Sequence, residues 1–271
     1  MLIICASAGG SPGVTTTALG LALTWPRDVL LADCDPHPNQ AVLAGYLRGI
    51  SSGGRGLGTL TENYRAGTAH ALDALLEQTI ALDASASISR RFLPGFTHPR
   101  QAPLFVGYWD QLGAQLDDLQ ASGTDVILDV GRLDAAGLAT GLIERARLIL
   151  LVTHSNLPAL AMLKLALPDL VQAISPGSAK LALLVAGAGR PYSASEIATQ
   201  LGLPLLAELP WDPATAGVLS DGDLPGRKLT EQPLWRAFRS LSMQLNGQTE
   251  ARRLQPSGRH RTGPGGGDEY A

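Results

Sequence analysis

Hydrophobic residues in this chain gather into short unbroken runs, separated by longer stretches in which apolar positions recur every three or four residues. Residues 2–6, 29–32, 126–130, 148–152, 181–185 and 203–209 are rich in Leu, Val and Ile, without polar alternation. Such runs suit strands of a parallel sheet covered on both faces, because every side chain then meets a packed layer whichever way it points. Between them the 3.6-residue period predicts helices over 15–25, 102–120, 135–145, 157–173, 194–201 and 233–245. Alternation repeated this often predicts an α/β fold: a doubly wound, mainly parallel sheet with helices on both faces. One domain is expected over residues 1–246. Within it, 51–89 reads as a strandless insertion carrying helices at 57–65 and 69–82. Beyond Asn246 the chain turns to Gly, Pro, Arg and Gln, so 247–271 is expected to be a disordered tail.

Composition narrows the classes. The chain has 271 residues, 45% of them hydrophobic, which is enough for one sizeable core. A net charge of −3 argues against a general nucleic-acid surface, which carries a basic excess. Cys5 and Cys34 both lie in apolar runs, so buried thiols in a reducing compartment are expected, and two cysteines alone cannot build a tetrahedral metal site. No signal-peptide pattern precedes the first strand, and no apolar run approaches the roughly 20 residues that span a bilayer. The expected location is cytoplasmic. Leu234, Trp235, Phe238, Leu241 and Leu245 recur at helical spacing; a last helix packed on the sheet is the expectation, ahead of a membrane-surface helix. His37, His98 and His154 lack partners at ligand spacing.

Three segments carry candidate chemistry. The first, AGGSPGVTTT at residues 8–17, follows an apolar strand and opens into a helical run, the arrangement of a phosphate-binding loop. Backbone N–H groups at a glycine-rich turn, aimed along a helix N-terminus, make an anion-binding concavity. Gly9, Gly10 and Gly13 supply the backbone freedom, and Thr15 or Thr16 a hydroxyl for Mg2+. Against G-x-x-x-x-G-K-[ST], however, the lysine that reaches the terminal phosphates is Val14, and Pro12 removes one N–H. The second segment, VLLADCDPHPNQ at residues 29–40, ends a strand in Asp33 and Asp35. Their i, i+2 spacing places both carboxylates on one side of the strand end, facing the loop. The third, DVILDVGR at residues 125–132, is an apolar strand ending in Asp129, the form of a Walker B segment, with Arg132 just beyond as a replacement cation.

Together with RLILLVTHSNLPAL and the closing LALLVAGAGRPYSASEIATQLGLPLLAELPWDPATA, these segments resemble the ParA/MinD family of deviant-Walker P-loop ATPases. Its pattern is KGGxGKTT, then a strand with DxDPQGN, then a strand ending in Asp. The resemblance covers nearly all of the chain except residues 51–89 and the tail. It implies ATP and Mg2+ as ligands, homodimers, and roles in positioning plasmids, chromosomes, division sites or surface machines. By position it makes Gly9, Gly10, Ser11, Gly13, Val14, Thr15, Thr16 and Arg190 the cofactor-binding set. Thr15, Asp33 and Asp129 become the Mg2+ set, and Asp35 and Asp129 the catalytic acids of an active site. Three departures agree with one another: Val14 at the Walker lysine, Gly9 at the signature lysine, and Gly187-Ala188-Gly189-Arg190 where an Asn-Arg pair holds the base. They imply lost ATP turnover. The chain is most similar to lysine-less members of TadZ/CpaE type from high-GC Gram-positive bacteria, localisation or scaffold factors beside the secretion ATPase of Tad/Flp pili. The resemblance leaves open an active Mg-dependent ATPase of partitioning or positioning type, in which Arg132 or Arg190 replaces the lysines. A DNA-partition factor would need the basic surface that the charge argues against.

Overall fold

A computed structural model describes residues 1–68, 71–83, 87–133, 140–174, 179–187, 189 and 191–253. The strands are β1 (Leu2–Ser7), β2 (Val29–Asp33), β3 (Ile80–Ala81), β4 (Arg90–Leu93), β5 (Asp125–Arg132), β6 (Leu148–His154), β7 (Lys180–Ala186) and β8 (Leu205–Leu209), and all but β3 and β4 fall in the apolar runs. They make one sheet in the order β3-β4-β2-β5-β1-β6-β7-β8, parallel except for the antiparallel β3–β4 pair. Alternate residues of β1 feed two separate cores: Leu2, Ile4 and Ala6 belong to one, Ile3 and Cys5 to the other. That two-sided burial is why the runs lack polar alternation.

The α-helices, in chain order, are α1 (Val14–Thr24), α2 (Leu57–Arg65), α3 (Leu72–Glu77), α4 (Ala102–Phe105), α5 (Trp109–Ala121), α6 (Thr140–Ile143), α7 (Leu157–Ala173), α8 (Ala194–Leu201), α9 (Pro213–Ser220) and α10 (Pro233–Arg253). Residues of α1, α9 and α10 pack in the core containing Ile3, and those of α2, α5, α7 and α8 in the core containing Leu2 and Ile4. α1 and α10 meet so closely that a Cβ on Gly20 would lie 2.3 Å from the Phe238 ring. Leu234, Phe238, Leu241 and Leu245 are all buried, so the apolar stripe of the last helix is spent on the core. Among the described residues, no helix is long and apolar enough to cross a membrane.

The structure departs from the sequence reading in several places, among them the helix expected over 69–82, which spans only Leu72–Glu77. Residues 51–89 are not strandless: Ile80–Ala81 pairs with β4, itself absent from the expected strands, because Arg90 and Arg91 begin it. Those guanidiniums bond to the carbonyl oxygens of Trp25 and Leu76, and Arg91 also to the Thr79 hydroxyl, which lets charged residues sit in a half-buried strand. The helix expected over 102–120 is broken by a 3-10 turn, Val106–Tyr108. α10 continues seven residues past Asn246 to Arg253, and residues 254–271 lie outside the described residues.

Candidate functional site

The loop after β1 keeps the backbone form that its glycines suggested. Gly10 (φ 78°), Ser11 (φ 46°) and Gly13 (φ 84°) take left-handed conformations, and Gly13 sits at the N-cap of α1. Ser11 is strained there, since a side chain disfavours that region. Gly9 is buried, with Met162 of α7 at 3.4 Å from where its Cβ would lie. Val14 is 6% exposed and belongs to the α1 core cluster, although it also lines the cleft above the loop. The position that a lysine would use to reach phosphate is therefore given largely to packing. Thr15 and Thr16 are part-buried.

Three carboxylates stand at the carboxyl edge of the sheet, where parallel α/β folds bind ligands. β2 and β5 run in register with Asp33 opposite Asp129, and β1 places Cys5 opposite Asp129 on its other side. Asp33 and Asp129 are 5% and 2% exposed and do not line the cleft. Asp33 lies against Gly95, where a Cβ would come within 2.6 Å of its carboxyl. So the i, i+2 pair does not present two acids to the loop. Asp35 reaches the cleft, and Asp33 stays beneath it, accepting a hydrogen bond from the Asp35 N–H at 3.2 Å. Asp129 accepts from Gly131 N–H at 3.0 Å and from the Thr15 hydroxyl. Thr15 in turn accepts from Asn39 Nδ2, and Asn39 Oδ1 accepts from Ala41 N–H at 2.9 Å. Asn39 is thus part of the site, though within the VLLADCDPHPNQ run nothing marked it beyond its place after the acids.

Burial sets the electrostatics. It pushes Asp33 well above the usual carboxylate range, and the nearby Asp129 charge adds to the rise. Burial also pushes Asp129 up to about 6, against the hydrogen bonds from Thr15 and Gly131. Asp35 is raised by burial, while hydrogen bonds from His37 and the Arg132 charge pull the other way. Both cysteine thiols are pushed up by burial, so neither is a reactive thiolate.

A cleft of about 440 Å³ opens above these groups, lined by Ser11, Val14, Thr15, Asp35, Asn39 and Arg132 among others. A second, of about 300 Å³, adjoins it across Ser11 and Gly13. That one is walled by Pro12, His154, Gly187, Leu209, Pro210 and Trp211. Trp211 and His154, with ring centroids 6.4 Å apart, belong to it, yet the sequence reading gave neither a role. Arg190 lies outside the described residues, as does Ala188.

With eight strands ordered 3-4-2-5-1-6-7-8 and a glycine loop crossing from the central β1 into α1, the architecture matches solved structures along most of its length. The fold is that of the ParA/MinD ATPases. A ParA-family ATPase from Chlorobium tepidum TLS superimposes with a TM-score of 0.69 at 15% identity, over 89% of this chain and 98% of that one. The cell-division ATPase MinD of Pyrococcus furiosus gives 0.67 at 22% identity, over 91% and 98%. MinD solved with MinC from Aquifex aeolicus gives 0.68 at 15% identity, over 91% and 95%. No protein-family model matches the chain, and no curated protein matches it by sequence.

ATP and Mg2+ are the ligands such a fold implies, and the residues present fit them unequally. The turn and the Thr15–Asp129 pair suit a hydrated Mg2+, and the second cleft suits a flat base. For the phosphates the cleft is short of cations. Among the described residues lining the first cleft, Arg132 is the one permanent cation, and it is exposed. The same cleft has Asp35 in its wall and Asp33 and Asp129 beneath it. Among the described residues, no group of three or more His, Cys, Asp or Glu is placed to hold a metal ion.

Proposed function

We propose that this chain is a lysine-less ParA/MinD-like protein that serves, without ATP turnover, as a localisation, scaffold or regulatory subunit of a larger cytoplasmic machine of Tad/Flp pilus or secretion type. The burial of Val14 carries this reading: the side chain that should meet the terminal phosphates is packed in the α1 core. Gly9 at the second lysine position supports it, because its neighbour is the Met162 thioether stem and not an anion. A partner protein has a precedent in this fold, since one similar structure is a MinC:MinD cell-division complex. The candidate partner is a secretion or pilus ATPase, or another polar component, with a homodimer as the presenting unit. Sedimentation of the purified chain with and without Mg-ATP tests the reading. Its mass should not change; assembly that requires Mg-ATP would overturn it.

One observation favours a second reading, an active Mg-dependent ATPase of partitioning or positioning type. Arg132 lines the same cleft as Asp35 and acts on its charge, so a cation is present, although exposed. Turnover lost in both Asp35→Ala and Asp129→Ala would support that alternative.

A further inference from the structure

α7 is apolar nearly all the way round. Its 17 residues carry two charges, Lys164 and Asp169, yet the core takes only Ala159, Leu163 and Leu170 in full. Leu157, Met162, Leu165 and Val171 stay exposed, Leu165 by 72%. A helix apolar on every face belongs under cover on every face, and an exposed apolar stripe of this kind marks an interaction surface. The two charges stand five residues apart, beyond the three or four that let side chains meet on one helix. Among the described residues neither has an ion-pair partner. Their spacing fits two helices instead. With Ala161 and Pro168 at heptad position d and Leu165 and Gln172 at a, Leu157 and Lys164 take g, while Met162 and Asp169 take e. Those two rows are built differently. Leu157 and Lys164 line a groove of about 490 Å³ between α7 and α8, with Leu160, Ile197 and Leu201 also in its wall. Met162 and Asp169 lie exposed on the other flank, outside the groove. One flank is a socket with a cation, the other a plug with an anion.

We propose that α7 is the interface for a second copy of this chain, in a parallel pair where Met162 of each copy enters the other's α7–α8 groove and Asp169 of each meets the other's Lys164. Resting on the reading above that assembly needs no Mg-ATP, the pairing supplies the homodimer named there. Across a twofold axis parallel to the helix, the e row of one copy faces the g row of the other, so plug meets socket twice and the assembly closes at two. The seam between the rows is short and has one large side chain, Leu165, so the contact depends on the two filled grooves. Among the described residues, none from α7 lines either cleft at the loop after β1, so the pairing is independent of what those clefts hold.

The test is sedimentation of the full chain without nucleotide, from micromolar concentration upward, which should show a reversible dimer. Lys164→Glu and Asp169→Lys change exposed positions, and each sets like charges against one another at both contacts. Either variant alone should weaken the dimer by on the order of tenfold. Mixed in equal amounts, the two variants should pair as wild type does, because every contact between unlike variants again joins opposite charges. A structural role for either charge within its own chain gives no such rescue. Leu165→Cys should yield a disulfide-linked dimer under an added mild oxidant, since a parallel seam sets position 165 against itself and both natural cysteines are buried. A chain that stays monomeric, a nucleotide-free dimer untouched by either variant, or variants that do not rescue each other would overturn the α7 pairing and leave the lost-turnover reading standing. A dimer that forms only with Mg-ATP would overturn both.

Discussion

Asp129→Asn should stabilise this protein at neutral pH, although it removes a residue at the centre of the candidate site. Burial moves the Asp129 pKa from 3.8 to about 6. A carboxyl that holds its proton more tightly folded than unfolded favours the fold most below its unfolded pKa, and that contribution is lost as pH rises through the folded pKa. At roughly 1.4 kcal/mol per unit, ionised Asp129 costs the folded state about 3 kcal/mol above the upper value. Asparagine keeps an oxygen for the Gly131 N–H, bonded at 3.0 Å, and removes the charge facing Asp33. Urea unfolding of wild type and variant at about pH 7.5 and about pH 4 measures the difference. The variant should be more stable by about 2–3 kcal/mol at the higher pH, with the gap closing at the lower. A variant less stable at the higher pH, or a gap unchanged by pH, would refute the reasoning.

Thr15→Val removes the hydroxyl that donates to Asp129, so the pH at which Asp129 ionises should rise further; a carboxyl-detected NMR titration reads the direction. Gly20→Ala drives a methyl to 2.3 Å from the Phe238 ring and should cost about 2–3 kcal/mol, seen as a lower thermal midpoint. Val14→Lys should lower stability by about 1–2 kcal/mol through lost packing, yet raise affinity for Mg-ATP by supplying the missing cation, as calorimetry would record.

The fold was legible because its central strands are buried on both faces, so they appear as unbroken apolar runs that no amphipathic helix imitates. The bounds of α7 and α8 were legible for a local reason. Asn156 and Ser193 cap them, and Ser193 with Glu196 forms a reciprocal capping box. β4 escaped because two of its four residues are arginines whose partners come from distant turns. At the site, sequence order located the loop and the acids but not their depth. Whether Asp33 faces a cleft or lies under it depends on how close Gly95 comes, which strand spacing does not encode. Trp211 escaped for a similar reason. It lies in the short loop between β8 and α9, and only the fold brings its ring to 6.4 Å from that of His154 at the end of β6.

The central claim is that this fold keeps the backbone of a nucleotide-binding loop while lacking the cations that turn ATP over. Phosphate release from Mg-ATP by the purified chain, with Asp35→Ala as the paired control, tests it most directly. Equal release by wild type, control and buffer is the expected result. Release by wild type that disappears in Asp35→Ala would contradict the claim and return this chain to the working ATPases.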